Sequence, residues 1–264
     1  MASSGSWRPR VAEALGSLRG ARALGGSVHR VTAGGRVVVV KADHGALDEA
    51  EGLRRLGGTP GAPPVPEVLL AEPGLLVTTW VEQGTRTPAH EEVLGRTLAG
   101  LHAAPCPVWG GGSSWVGTCR VDPSVAPDAA SFYRGRITGL ARRCGLERAV
   151  EPLADRLDEL LPPGGPAPLH GDLWWGNVLW GAEGRAWLID PSVHGGHPEE
   201  DLAMLGLFGV VPGRLLGAYA EVRPLAPGRE EREPLFQLCP LLVHAVLFGG
   251  GYRARAEDVA RRLA

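Results

Sequence analysis

Lysine and asparagine are almost missing from this chain of 264 residues: Lys41 is its one lysine and Asn177 its one asparagine, and arginine fills every other basic position. Cysteine is scarce too, with Cys106, Cys119, Cys144 and Cys239 forming no C-x-x-C pair. Four thiols in so long a chain exclude a disulfide-scaffolded fold and suit reduced cysteines in a cytoplasm. Charge of either sign is not in excess, since 27 Lys+Arg face 29 Asp+Glu for a net charge of −2. That balance excludes the long-range field that draws a protein onto nucleic acid. No G-x-S-x-G elbow occurs, which removes one hydrolase class. The N-terminal MASSGSWRPRVAEAL has no apolar core and no cleavage-like site, so a secretory signal is not expected. One stretch, Pro234 to Tyr252, carries no Asp, Glu, Lys or Arg, but Pro240, His244 and Gln237 interrupt it, and a buried helix is expected rather than a membrane span.

What is present is an ordinary globular mixture, 44% apolar and 21% charged, in a length that allows one large domain or two small ones sharing a cleft. VAEALGSLRGA has helical spacing. LGGSVHRVTAGGRVVVVKAD then reads as two strands around a Gly-Gly turn, with VVVVK continuous enough for a central strand buried on both faces. LDEAEGLRRLGG suits a short helix stopped by Gly57 and Gly58, and EVLLAE with GLLVTTWVE reads as a further hairpin. Beyond Gly84 the pattern turns helical, with HEEVLGRTLAGLHAA, SFYRGRITGLARRCG and VEPLADRLDELL, broken by a Gly/Ser/Trp-rich loop from Trp109 to Gly117.

The block PLHGDLWWGNVLWGAEGRAWLIDPS carries the chemistry. VLW and RAWLID flank GAEG, a hairpin signal that returns the chain and brings Asn177 and Asp190 to one end of a sheet. An amide oxygen and a carboxylate there suit a hard cation that also holds phosphate oxygens. Asp172 and Asn177 have the D-x-x-x-x-N spacing of a kinase catalytic loop, in which the Asp takes the substrate hydroxyl proton and the Asn binds metal, and His170 precedes Asp172 as it does in that loop. Asp190 takes the part of the second metal-binding Asp. The one asparagine therefore falls on the metal-ligand position. The one lysine ends the strand where kinases keep the lysine that holds phosphates and pairs with a helix glutamate. A compact ammonium is a physical reason to retain lysine in a chain that otherwise chooses arginine. Glu49 is the expected partner, with Glu51 the near alternative.

HGDLWWGN, IDPS and EEDLAMLGLFG resemble the fructosamine kinase (ketosamine 3-kinase) family, in the aminoglycoside phosphotransferase branch of protein-kinase-like folds. Further similarities are EAEGLRRL, VPEVL, LGRTLAGLH, SWVG, SFYRGRI and LFGGGY. The resemblance implies a bilobal α+β fold, with a small β-rich nucleotide-binding lobe over 1–81 and a larger helical catalytic lobe over 82–264. It implies Asp172 as base, Asn177 and Asp190 as Mg²⁺ ligands, Lys41 as phosphate binder and Glu49 as its partner. Gly25, Gly26 and Ser27 would form the loop over the ATP phosphates, the backbone at Trp80 and Val81 would meet adenine, and Trp174 would lie against a sugar-like substrate. His197 is a weaker candidate for substrate contact. The implied reaction is ATP-dependent phosphorylation of the sugar 3-hydroxyl of a ketosamine, either a small glycated amine or a glycated protein lysine. A cytoplasmic protein with no nucleic-acid or membrane partner is expected from its charge, cysteines and N-terminus, and the oligomeric state is left open with a monomer favoured. LGGSVHRV lacks G-x-G-x-x-G, SSWVG replaces an Asp-Asn-aromatic version, and His194 stands where an aromatic is common, departures that bear on the substrate more than on phosphoryl transfer.

Each of these residues also has a plainer role open to it. Asp172 could be a turn residue, Lys41 a solvated strand end, Glu49 a surface charge, and Trp174 and Trp175 packing residues. His170, His194 and His197 lack a recognised zinc spacing. Asp201 is expected to cap the DLAM helix. A kinase for another hydroxyl acceptor, such as an aminoglycoside or amino sugar, and a nucleotide-binding module without turnover are the alternatives to the ketosamine reading.

Overall fold

The computed structural model describes residues 7–264. Helix α1 (Trp7–Leu15) is followed by strands β1 (Leu18–Gly25), β2 (Val28–Ala33) and β3 (Arg36–Lys41), helix α2 (Ala46–Gly57), and strands β4 (Val68–Glu72) and β5 (Leu75–Thr79). The five strands form one antiparallel sheet in the order β1-β2-β3-β5-β4. The helical spacing of VAEALGSLRGA holds only to Leu15. Gly16 breaks the helix with φ 89°, and LRGARALG forms the edge strand β1 instead. The N-terminal sheet therefore has one strand more than the periodicity suggests.

Strand alternation explains how this sheet makes a cleft. Val38 and Val40 of β3, with Val31, Leu75 and Val77, pack under Trp7 and Val11 of α1, and fully burying a side chain of this size contributes roughly 2 kcal/mol. Successive residues point to opposite faces, so Val37, Val39 and Lys41 face away from that core and are only half-buried. The VVVVK run is thus central but not buried on both faces as expected: its second face lines a cavity. Helix α2 covers part of that face, burying Ala46, Ala50 and Leu53 against Leu76.

After Thr79 the chain enters the helical part through α3 (Pro88–Ala103), whose Thr87 and His90 form a reciprocal cap. The expected Gly/Ser/Trp loop holds two short strands, β6 (Gly110–Gly112) and β7 (Trp115–Val116), and β8 (Cys119–Arg120) pairs with β7. Next come α4 (Ala129–Cys144), α5 (Glu147–Asp155), α6 (Leu157–Leu160), β9 (Ala167–Leu169), the hairpin β10 (Val178–Trp180) and β11 (Ala186–Leu188), and β12 (His194–Gly196). The chain ends in α7 (Glu199–Leu207), α8 (Gly213–Val222), α9 (Arg229–Phe248) and α10 (Gly250–Leu263). One core joins α4, α5, α7, α9 and α10, and another sets α3 and α8 against the β10–β11 hairpin. The stretch from Pro234 forms the last three-quarters of α9, which keeps Pro234 and Pro240 within it, and the start of α10, and among the described residues no helix is long and apolar enough to cross a membrane. The four cysteines are unpaired, Cys119 and Cys239 fully buried.

Candidate active site

Lys41 is the last residue of β3 and emerges on the cleft face. Its Nζ lies 2.6 Å from Glu49 Oε2, 3.2 Å from Asp190 Oδ1 and 3.5 Å from Asp43 Oδ2. Glu49 sits in the first turn of α2, aimed inward, whereas Glu51 is exposed, so helix phase selects Glu49 as the contact. Burial works against the Lys41 ammonium, but Glu49, Asp190 and Asp43 outweigh it and hold the group above its usual range. Burial, with Asp190 added, pushes the Glu49 carboxyl upward against the pull of Lys41. Three carboxylates around one ammonium leave the cluster short of positive charge.

The HGD loop follows β9 and is held from beneath. Asp201 of α7 accepts the backbone N–H of His170 at 2.8 Å and that of Gly171 at 2.9 Å. His102 of α3 contacts the same carboxylate at 3.1 Å and meets the Tyr219 hydroxyl at 2.9 Å. Burial opposes the Asp201 charge, but the bond from His102 and the backbone N–H groups keep the carboxyl below its ordinary range. Asp201 was expected to cap the helix that carries it; it is already inside that helix, and its carboxylate serves the loop. Gly171 has φ 79°, and a Cβ there would stand 2.0 Å from the Ser192 carbonyl, so only glycine fits. His170 is buried and held below its usual pKa by that burial; its Nδ1 accepts from the Asp172 N–H while Nε2 donates to the Ile189 carbonyl. A neutral imidazole with its proton on Nε2 thus ties the Asp172 loop to the strand leading to Asp190.

Asn177 closes a short 3₁₀ turn, Trp175–Asn177, before β10. Its Nδ2 donates to the Asp172 carbonyl at 2.8 Å and to Asp172 Oδ2 at 3.3 Å. The hairpin pairs Val178 with Leu188, and the Ile189 N–H donates to the Asn177 carbonyl, so Asn177 and Asp190 reach the same end of the sheet as the turn signal requires. Asp190 has φ 52°, the one non-glycine residue in the left-handed region among the described residues, a backbone cost that concentrates at functional sites. Burial, then the nearby Asp190, pushes the Asp172 carboxyl up to about 7.

Two cavities meet at this cluster. The first, about 430 Å³, is lined by Leu24, Gly25, Val39, Leu53, Trp80 and Val81 among others. Gly26 and Ser27 form the adjoining turn between β1 and β2 but are not among its lining residues. The second, about 250 Å³, contains Asp172, Trp174, Asn177 and Trp115. Lys41, Glu49 and Asp190 line both. A predominantly apolar slot thus opens through a charged junction into a polar one, an arrangement that can pass a charged group between two ligands.

Asn177 and Asp190 fit a hard cation by their donor chemistry. The Asn177 amide nitrogen is used by Asp172, which leaves its carbonyl oxygen free, and Asp190 adds carboxylate oxygen beside it. Trp174 is 40% exposed on the second cavity. Its ring lies back over Gly176, where a Cβ would come within 2.2 Å of it. Trp175 instead stacks on Trp180, with Arg86 over both rings. His197 is not brought to the cleft: its ring stacks on Phe236 at 5.1 Å, and burial drives its pKa down to about 4. It stands just before α7, packed between Phe236 of α9 and the Tyr133 hydroxyl of α4, which accepts the His197 backbone N–H.

Sequence reasoning did not single out the Asp201–His102–Tyr219 support, because its members lie on three separate helices. It also passed over Asp48, whose carboxylate accepts the Ser114 N–H at 2.8 Å and so ties α2 to the loop bearing Trp115. The one signal available was a histidine, His102, on the apolar face of an otherwise leucine-rich helix.

Residues 46–264 match the model of the family described as fructosamine kinase. A Thermus thermophilus protein named "Probable ketoamine kinase" is 37% identical over 238 residues, covering 86% of this chain and 87% of its own. A Thermobifida fusca protein solved as a candidate fructosamine-3-kinase is 39% identical with TM-score 0.88, covering 98% of both chains. More distantly, at 16% identity and TM-score 0.66 over 97% of this chain and 98% of the other, the fold matches an aminoglycoside phosphotransferase solved with AMP-PNP and hygromycin B. The β-rich sheet over a helical base is accordingly a protein-kinase-like fold, its chemistry is that of a phosphotransferase, and the chain belongs to the fructosamine kinase family.

Proposed function

We propose that this protein phosphorylates the sugar 3-hydroxyl of ketosamines, using ATP and Mg²⁺, and that the product's instability then frees the amine, a repair of glycated amines or protein lysines. The observation that carries the reading is the meeting of Lys41, Asp172, Asn177 and Asp190 where the two cavities join. The apolar cavity suits adenine, with the backbone at Trp80 and Val81 beside it and the Gly25–Ser27 turn over the phosphates. The second cavity suits the sugar, with Trp174 as its wall. Similarity to a kinase fold solved with AMP-PNP supports the nucleotide, and the names of the relatives support the acceptor.

Phosphoryl transfer asks a protein chiefly for position and charge neutralisation. Lys41, oriented by Glu49, places a fixed ammonium at the phosphate junction. Asp172 accepts a hydrogen bond from the attacking hydroxyl and takes its proton, while Asn177 fixes the Asp172 loop through Nδ2. Asn177 and Asp190 would hold Mg²⁺, which when bound supplies charge neutralisation of the phosphate oxygens.

Purified protein with Mg²⁺ and ATP should consume ATP faster when fructosyl-lysine is added, and Asp172→Asn should abolish that stimulation, a loss of about 10²-fold or more for removal of a general base. ATP binding seen as a thermal shift, with no ketosamine stimulating turnover, would sink the acceptor assignment and leave the fold intact.

A further inference from the structure

Among the described residues three aromatic side chains stand well out into solvent, Trp174, Phe208 and Phe248, the last 67% exposed. All three lie on one surface. Trp174 meets Phe208 edge to face with ring centres 6.2 Å apart, and Phe208 meets His244 at 5.0 Å. His244 in turn meets Phe248 at 5.7 Å and Tyr252 at 4.9 Å. His244 also lines a small pocket with Gly171 and Asp172. The wall therefore starts beside the base and runs outward over α9 and α10, built from three separate segments of the chain. The imidazole in it is partly satisfied within its own helix: His244 Nδ1 contacts the Pro240 carbonyl at 2.8 Å. Apolar exposure gathered at a site mouth marks a contact surface, whereas scattered exposed residues such as Val125 need no explanation.

The occupant follows from the chemistry of the proposed acceptor, on which this inference rests. In a ketosamine the nitrogen is on C1 and the hydroxyl that receives phosphate is on C3, so only three carbons separate them. With that hydroxyl at Asp172 and the sugar against Trp174, the nitrogen and what it carries must leave along an adjacent wall. Aromatic faces attract a cationic nitrogen and apolar groups beyond it, and they repel a carboxylate. We propose that Phe208, His244, Phe248 and Tyr252, continuing from Trp174, form a subsite for the amine-borne substituent of the ketosamine, selecting substituents that present an apolar or aromatic group next to the nitrogen.

The test is steady-state kcat/KM with three fructosyl-amines, those of benzylamine, methylamine and glycine. The benzylamine adduct should be preferred over the glycine adduct. Phe248→Ala, at an exposed position that folding tolerates, and Phe208→Ala should each shrink that preference roughly five- to tenfold through KM, as expected for loss of one aromatic contact. Val125→Ser, an exposed apolar residue elsewhere, should leave the preference unmoved. Equal kcat/KM for the three adducts, or a preference untouched by Phe248→Ala, overturns the subsite while ketosamine turnover continues. If Phe248→Ala instead splits an oligomer and leaves the preference alone, the wall is a contact between copies and the proposal is wrong. Absence of turnover with every ketosamine overturns the functional reading and the subsite with it.

Discussion

At Lys41 one ammonium answers three carboxylates, and this sets what a substitution there should do. Arginine is broader, planar and splits its charge over a fork, so it cannot sit between Glu49 and Asp190 as a point charge. Lys41→Arg should therefore lower kcat by about 10²-fold, the scale of losing one fixed electrostatic contact to the reacting group, with the melting temperature little changed. Retained activity in that variant would show that the solitary lysine of an arginine-rich chain is an accident of composition. The roles suggested for Lys41, Asp172, Asn177 and Asp190 were legible because each is a rare residue or stands at a fixed spacing within one short block. His197 is the complementary case: closeness to Asp190 along the chain does not carry its ring into the cleft, and it stacks on Phe236 instead.

At the scale of elements, the HGD loop depends on helices distant in sequence. Asp201, buried in α7, holds the loop's backbone N–H groups and is itself contacted by His102 from α3. Removing that carboxylate strands two buried donors and an imidazole. Asp201→Ala should cost about 3 kcal/mol of stability in urea denaturation and should lower kcat more than it raises the KM for ATP. Tyr219→Phe, which deletes only the outermost bond of this chain of contacts, should cost about 1 kcal/mol. Equal losses from the two variants would argue against a network anchored at Asp201. The periodicity of α3, α7 and α8 announces helices but not this partnership, since a helical pattern identifies a buried face without naming what the face meets. Similarly, LRGARALG had too little alternation to announce a strand; β1 is almost wholly exposed and is recruited by pairing with β2.

For the whole molecule, buried titratable groups make stability depend on pH. Burial drives His197 down to about 4; the nearby Glu199 pulls it up, while Arg232, Arg223 and His102 add to the depression. The unfolded chain therefore binds this proton first, and the contribution of His197 to stability falls as pH drops from about 6.5 toward 4. Asp172, raised to about 7 chiefly by burial, acts in the opposite direction over part of the same range, so a comparison with a variant isolates the histidine. Between about pH 7.5 and about pH 5, His197→Gln should lose about 2 kcal/mol less stability than the unaltered protein. Parallel pH profiles for the two would mean that His197 takes up its proton within the folded state.

By itself the sequence determined the residue types of the site, the catalytic-loop spacing, the hairpin that returns Asp190 to Asn177, and membership of a kinase-like family, all of them local patterns in which turn chemistry and strand alternation act over a few residues. Only the tertiary structure decided which glutamate meets Lys41, which tryptophan faces the cleft, what Asp201 holds, and that rings from three segments form one wall beside Asp172. Those outcomes depend on how helices dock and rotate against one another, and docking is set by the packing of whole faces, a quantity that no single stretch of the chain contains.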